Sequence, residues 1–469
     1  MQLFFRPVEK KYEGEGILPH GTFDNTNDWN PLIKYLEKGA IDFPDKTMFK
    51  MGDANGKIIE QFTYKETNQK SNQIANYLIE NCSINSEDKI GIFMLNSSEF
   101  VFSILATHKT GAIQVPVNKD EKGERLLYVI NYSEMKVLII DKSAIDLIEP
   151  IADKFENLER IFISGSEGNI PNNLGNINCE EFESFNKGSI NNPNIKLTIA
   201  NKERCMFTSG TTGMPKGVVR EHGGVLMTVR SYIQHQGIRN NDTLMSVLSL
   251  GHANAQAMCL FAAIGAGCTA VFFPKFSASN FWKWAHDCGA TVTNFLGAVA
   301  EYLWSAKPGD YDKKHNVRIV LAGPAPRNLI EFEKRFNLKI VEGYGSTEMG
   351  MPLWKSPEDA RVGSCGYPVE GYYLEIRNPE NIEEVIKPHW NPSLEEKPPE
   401  SAKGLLFIRP NVPNTTLNEY FKDLRRTREA FDDDGFFNSD DLFAAGTDGR
   451  YYFIAVSYTH LTLPTSDLV

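Results

Sequence analysis

Cysteine is scarce in this chain, and none of its seven cysteines sits in a C-x-x-C pair. That argues against a thiolate-built zinc or redox cluster. Scattered single cysteines suit a reducing cytoplasm rather than a disulfide-stapled secreted scaffold. A cationic surplus is also missing: 49 Lys and Arg stand against 60 Asp and Glu, a formal charge of −11. A nucleic-acid coat or a polybasic membrane patch needs a basic face, so both are excluded, whereas a local nucleotide site is not. No signal-peptide pattern opens the sequence, because MQLFFRPVEKKYEGEG places charges directly after a short apolar run. One long uncharged run, Ala255 to Phe273, is interrupted by Gly265 and Gly267 and then turns β-branched and aromatic. It reads as helix, turn and buried strand, with no transmembrane segment. A cytoplasmic protein, compatible with a homo-oligomer, is the expectation.

What is present is the balance of a large globular protein, 41% apolar and 23% charged over 469 residues, too long for one ordinary domain. Strand and helix patterns alternate. DKIGIFML predicts a strand from Lys89 to Leu95, and SSEFVFSILATHKTGA predicts a helix capped by Ser97 or Ser98 and ended by Gly111. Short strands follow at Lys136–Asp141 and Arg160–Ser164, then TAVFF, ATVTNFLG, VRIVLAG and LKIVEGYGS. Strands separated by helices predict an α/β fold with parallel sheets covered on both faces. In such sheets ligands sit at the carboxyl ends of strands. A Pro-, Glu- and Lys-rich stretch, Glu383 to Lys403, is expected to be an exposed insertion. GLLFIRP then predicts a strand, NEYFKDLRRTREAF a helix or loop, and DGFFNSDDLF a turn and strand.

Phe207 to Gly217 reads FTSGTTGMPKG. Hydroxyls at Thr208, Ser209, Thr211 and Thr212 alternate with Gly210 and Gly213, and Lys216 follows. Glycines let the backbone present bare N–H groups to an anion, and the lysine adds a mobile charge for phosphate. It is not a Walker A loop, which would need Gly at Pro215 and Ser or Thr at Gly217.

This string resembles the signature of the adenylate-forming superfamily, which includes acyl-CoA ligases, peptide-synthetase adenylation domains and luciferases. EGYGSTEMG, from Glu342 to Gly350, resembles that family's second signature. The resemblance implies that Tyr344 stacks on adenine, Thr347 bonds the α-phosphate and Glu348 holds Mg²⁺. It places Glu342, Gly343 and Gly345 in the same ATP site. LAGPAP resembles the adenine loop, bringing in Gly323, Pro324 and Ala325. LGHANAQ resembles an acyl-pocket segment, with His252 as the candidate beside Gly297 and Met349. DGFFNSDDL resembles the family's F-x-T-G-D turn, so Asp441 would bind the ribose; Ser439 and Asp440 depart from Thr and Gly there, and Pro410 departs from Gly after Arg409. Thr347, Glu348 and Lys216 are the implied catalytic residues.

The whole likeness is closest to crotonobetaine/carnitine–CoA ligases. It implies ATP, Mg²⁺ and CoA, with a small carboxylic acid as partner. Two α/β subdomains are expected over 1–380 and a small β-barrel subdomain over 381–455, with the insertion at 383–403. The family continues with a hinge of the form Gly-Arg-x-Asp-Asp and a mobile α+β cap carrying a lysine. Here DGRYYF leads into IAVSYTHLTLPTSDLV, so the cap is expected to be absent and 456–469 reads as foreign to the fold. Two other activities use the same signatures: an adenylation domain loading a carrier protein, and a non-catalytic nucleotide-binding remnant.

Overall fold

The structure is a computed structural model that describes residues 29–166, 168–208, 214–359, 361–394 and 397–456. Ser209 to Gly213 and the tail beyond Val456 therefore lie outside the described residues, and so do the roles expected of them. Two α/β sheets dominate. The first has seven strands, in the order Lys339–Val341, Ile319–Gly323, Val292–Leu296, Thr243–Ser246, Thr269–Phe272, Thr47–Gly52 and Ile58–Thr63. All its neighbours run parallel except the last pair. The second has nine strands, parallel through Lys202–Thr208, Ile113–Pro116, Lys89–Phe93, Val137–Asp141, Arg160–Ser164 and Ile177–Glu181, with antiparallel edges.

Strand alternation explains how the sheets stack. Val137 and Ile139 point into one buried cluster, Leu138 and Ile140 into another. In the first sheet Leu244 faces the same central cluster as Val137, while Met245 is buried in a separate cluster on the opposite face. The helices Tyr64–Cys82, Ser98–Thr110 and His222–Gln236 fill that shared layer. Their ends follow local chemistry. Thr63 and Glu66 form a reciprocal capping box, and Ser97 caps Ser98–Thr110, which Gly111 ends in the left-handed region. The uncharged run is helical to Ala266, turns at Gly267 and enters Thr269–Phe272. No described helix is long and apolar enough to cross a membrane.

Beyond Val341 the chain turns antiparallel. Gly343–Ser346, Gly350–Trp354 and Tyr367–Pro368 form a three-stranded sheet; Asn381–Val385, Tyr372–Asn378, Lys403–Pro410, Phe437–Ala445 and Tyr451–Val456 form a five-stranded one. A bridge between Gly366 and Tyr451 links them. The stretch expected to be an exposed insertion is exposed at Asn381–Val385, but it is anchored rather than loose. Trp390 is buried among Ala402, Ala444 and Tyr452, because one large apolar ring outweighs its polar neighbours. NEYFKDLRRTREAF is part strand: Leu417–Tyr420 joins the edge of the nine-stranded sheet before the helix Leu424–Glu429.

The Tyr64 hydroxyl lies 2.9 Å from the carbonyl oxygens of Ala263 and Cys268, tying the start of one central helix to the end of another. Tyr64→Phe leaves a buried acceptor pair without its donor. It should lower stability by about 1–3 kcal/mol in urea unfolding with the m-value unchanged; an unchanged midpoint would remove this tie from the account.

Candidate active site

The glycine-rich motif joins two antiparallel neighbours. Lys202–Thr208 runs into it, Lys216–Glu221 leaves it, and Lys216 pairs with Thr208 in the ladder. A hairpin, not a helix start, therefore carries the motif. Thr208 keeps a buried hydroxyl with no hydrogen-bond partner among the described residues.

Lys216 meets the second motif here. Its Nζ lies 2.9 Å from Glu348 Oε1. Tyr420, at the end of the adjoining strand, donates its hydroxyl to the same oxygen at 3.0 Å and accepts from Lys216 at 3.2 Å. Sequence reading missed Tyr420. Burial pushes the Glu348 carboxyl up, but Lys216 and Tyr420 outweigh it and hold the group below the ordinary 4.5. The pair faces a polar cavity of about 630 Å³ whose walls include Ser346, Arg426, Asn438 and Asp440.

Tyr344 donates its hydroxyl to Asp441 Oδ2 at 2.6 Å, and its ring meets Phe443 edge-on at 4.7 Å. Burial pushes the Asp441 carboxyl up, and the Tyr344 hydrogen bond opposes that. The turn before Asp441 carries Asp440 where the resemblance implies a glycine. Asp440 takes φ +57°, a left-handed conformation that Asp tolerates, and its N–H donates to Asn438 Oδ1 at 3.0 Å. Ser439 Oγ accepts the Asp441 N–H at 3.2 Å.

The remaining candidates separate. Glu342 accepts from the Ala325 N–H at 3.3 Å and sits 3.5 Å from the buried Lys355, so it braces the Gly323–Pro324–Ala325 loop. Gly345 has no room for a Cβ, which would stand 2.1 Å from the Gly350 carbonyl. Gly343 belongs to the same hairpin strand. Thr347 offers its carbonyl to Arg220 at 3.2 Å and lines two cavities of about 290 Å³ each. His252 is exposed and borders one of them, with Thr208. The other is lined by Asn254, Gly345 and Met351, and by Arg204 and Arg220, which sequence reading also missed. Met349 lines neither. It is fully buried in the core, because Gly350 at φ +70° breaks the alternation and leaves Met351 facing the cavity. Gly297 packs on the Pro324 ring, where a Cβ would lie 3.0 Å from Cδ.

A family model described as AMP-binding enzyme matches residues 36–392. A crotonobetaine/carnitine–CoA ligase of Proteus mirabilis (strain HI4320) is 26% identical over 431 residues, 91% of this chain and 78% of its own length. The relative of that name in Salmonella typhimurium (strain LT2) is 26% identical over 88% of this chain and 77% of its own. Among solved structures, an anthranilate CoA ligase in complex with anthranoyl-AMP superposes with a TM-score of 0.80 at 21% identity, covering 92% of this chain and 79% of that one. An O-succinylbenzoate coenzyme A synthetase from Bacillus subtilis, in complex with AMP, gives 0.72 at 19%, covering 91% and 79%.

Because Glu348 titrates below its unfolded value, its ionised form contributes stability above about pH 4.5, lost as pH falls through the folded value. Glu348→Gln should therefore lower the urea-derived stability at neutral pH by about 1–2 kcal/mol. The variant and the unchanged protein should converge in acid; a gap that stays constant would rule out the ion pair as its source.

Proposed function

The chain belongs to the AMP-binding enzyme family, and from that premise we propose how its own residues carry out AMP-forming ligation of a short or medium carboxylic acid to CoA. As an enzyme it is an acid–thiol ligase that uses ATP, Mg²⁺ and CoA. The reaction has two displacements. A carboxylate oxygen of the acid bonds to the α-phosphorus of ATP, and the bond to pyrophosphate breaks. The CoA sulfur then bonds to the acyl carbon, and the bond to AMP breaks.

One observation carries the assignment of roles. Lys216, Glu348 and the turn leading to Asp441 stand around a single polar cavity. Lys216 binds phosphate oxygens, and the free Thr208 hydroxyl is positioned to add a donor beside it. Asp441 accepts from ribose hydroxyls, and Tyr344, whose hydroxyl fixes Asp441, offers its ring to adenine. Thr347 contacts the α-phosphate from the strip shared with the acyl cavity.

Among the described residues no group of three or more His, Cys, Asp or Glu could hold a metal alone. Glu348 borders the cavity beside Lys216, with Asp423, Glu429 and Asp440 elsewhere in its walls, and a carboxylate there fits Mg²⁺, which takes one or two carboxylates and completes its shell with phosphate oxygens and water. Bound there, the ion supplies charge neutralisation to the phosphates. Glu348 must release Lys216 to serve it, and Tyr420 keeps the carboxylate oriented meanwhile.

The substrate is an expectation drawn from the relatives' names: a betaine acid such as crotonobetaine or carnitine, or another short or medium acid.

Acid-dependent exchange of labelled pyrophosphate into ATP tests this reading, together with CoA-dependent release of AMP. Lys216→Ala should weaken ATP binding and lower exchange by on the order of 10²-fold. Glu348→Gln should shift the Mg²⁺ titration to higher concentration. An identical Mg²⁺ profile in that variant, or no exchange with any acid, would overturn the assignment.

A further inference from the structure

The cavity beside Thr347 has an unusual charge inventory. Arg204 and Arg220 both stand in its wall, and each is at least 95% buried. They lie on the two strands that flank the glycine-rich motif. Arg220 has no carboxylate within ion-pair distance among the described residues. It donates to two main-chain carbonyls, Thr347 at 3.2 Å and Thr415 at 2.8 Å, and its Nε has no partner among those residues. Arg204 pairs through Nε with Glu203, which is shared with His108 at 2.8 Å and lies off the cavity wall. Among the described residues Nη1 of Arg204 has only long contacts, 3.5 Å to Gln256 and 3.9 Å to the Met206 sulfur. Across this small group one buried positive charge remains uncompensated.

Burying a cation without a counter-charge is expensive, and the expense falls when an anion enters. The rest of the wall is suited to a short apolar spacer: Met206, Val225, Met258 and Met351 supply it. No carboxylate and no aromatic ring lines the cavity, so a quaternary ammonium would find neither counter-ion nor cage. At about 290 Å³ the cavity suits a short acid.

We propose that this cavity is the acyl subsite and that it selects short dicarboxylates, holding the second carboxylate on Arg220 and Arg204 while the first reaches the phosphate site at Thr347. This rests on the ligase reading above, and it runs against a betaine substrate.

The test uses the full chain and three acids that share a four-carbon backbone: succinate, butyrate and the bulkier γ-butyrobetaine. By titration calorimetry, succinate should bind at least about tenfold tighter than butyrate, the margin of one charge-assisted hydrogen bond, and γ-butyrobetaine weakest. Arg220→Met and Arg204→Met should each erase the preference while ATP binding persists. Equal or reversed affinities on the unchanged protein overturn the proposal, and so does an Arg220→Met variant that folds and keeps the succinate preference. If either variant fails to fold, the three-acid series still decides. Pyrophosphate exchange separates the two readings. A succinate preference in binding with no exchange for any acid sinks the ligase reading but leaves the pocket chemistry. Exchange that favours butyrate or γ-butyrobetaine sinks the pocket chemistry alone.

Discussion

The ion pair between Lys216 and Glu348, seconded by the Arg220 hydrogen bond to the Thr347 carbonyl, joins parts of the chain that are far apart in sequence. Lys216 begins an edge-side strand of the nine-stranded sheet, while Glu348 sits in a turn of the small antiparallel hairpin that follows the seven-stranded sheet. Tyr420 comes from a third excursion that returns to pair beside Lys216's strand. The two sheets fix these positions by sharing one buried layer of helices. A strand in either sheet could not shift by a residue without exchanging the side chains of its two buried faces, which pack against different neighbours. A site assembled from three distant segments thus inherits its rigidity from the core.

Much of this was legible in the sequence. Apolar strand runs and helix caps are local signals, and the helix from Ser98 to Thr110 begins and ends where Ser97 and Gly111 place it. The two long motifs carry their chemistry in residue types, so Lys216, Glu348, Tyr344 and Asp441 could be named in advance, and the fold brings them together in pairs. What could not be read was which side chains face which cavity. Met349 and Met351 look alike in sequence, and only the positive φ at Gly350 separates them. Tyr420 has no motif at all; a strand pairing 200 residues from its partner strand decided its place. Arg204 and Arg220 left no signal, since each stands beside a glutamate in its strand and reads as one half of a solvated pair.

Electrostatics divides the site into two kinds of surface. On the proposed nucleotide side, charges are paired with one another: Lys216 with Glu348, Tyr344 with Asp441. Under the proposed function those partnerships are exchanged for ligand contacts. On the proposed acyl side, Arg220 has only carbonyl dipoles to lean on among the described residues. On that reading the first surface is organised for exchange, the second for capture. Asp440 adds a charge to the wall of the larger polar cavity where a glycine would give none.

Trp390 has a consequence away from the chemistry. By burying one ring against Tyr452, it divides the polar excursion between Asn381–Val385 and Lys403–Pro410 into two shorter closures. Closure entropy grows only slowly with length, so each half can lengthen with little effect on the sheet beneath. The tether makes this excursion a natural place for the chain to acquire sequence, or for a label or fusion partner to be inserted, while the strands on either side keep their register.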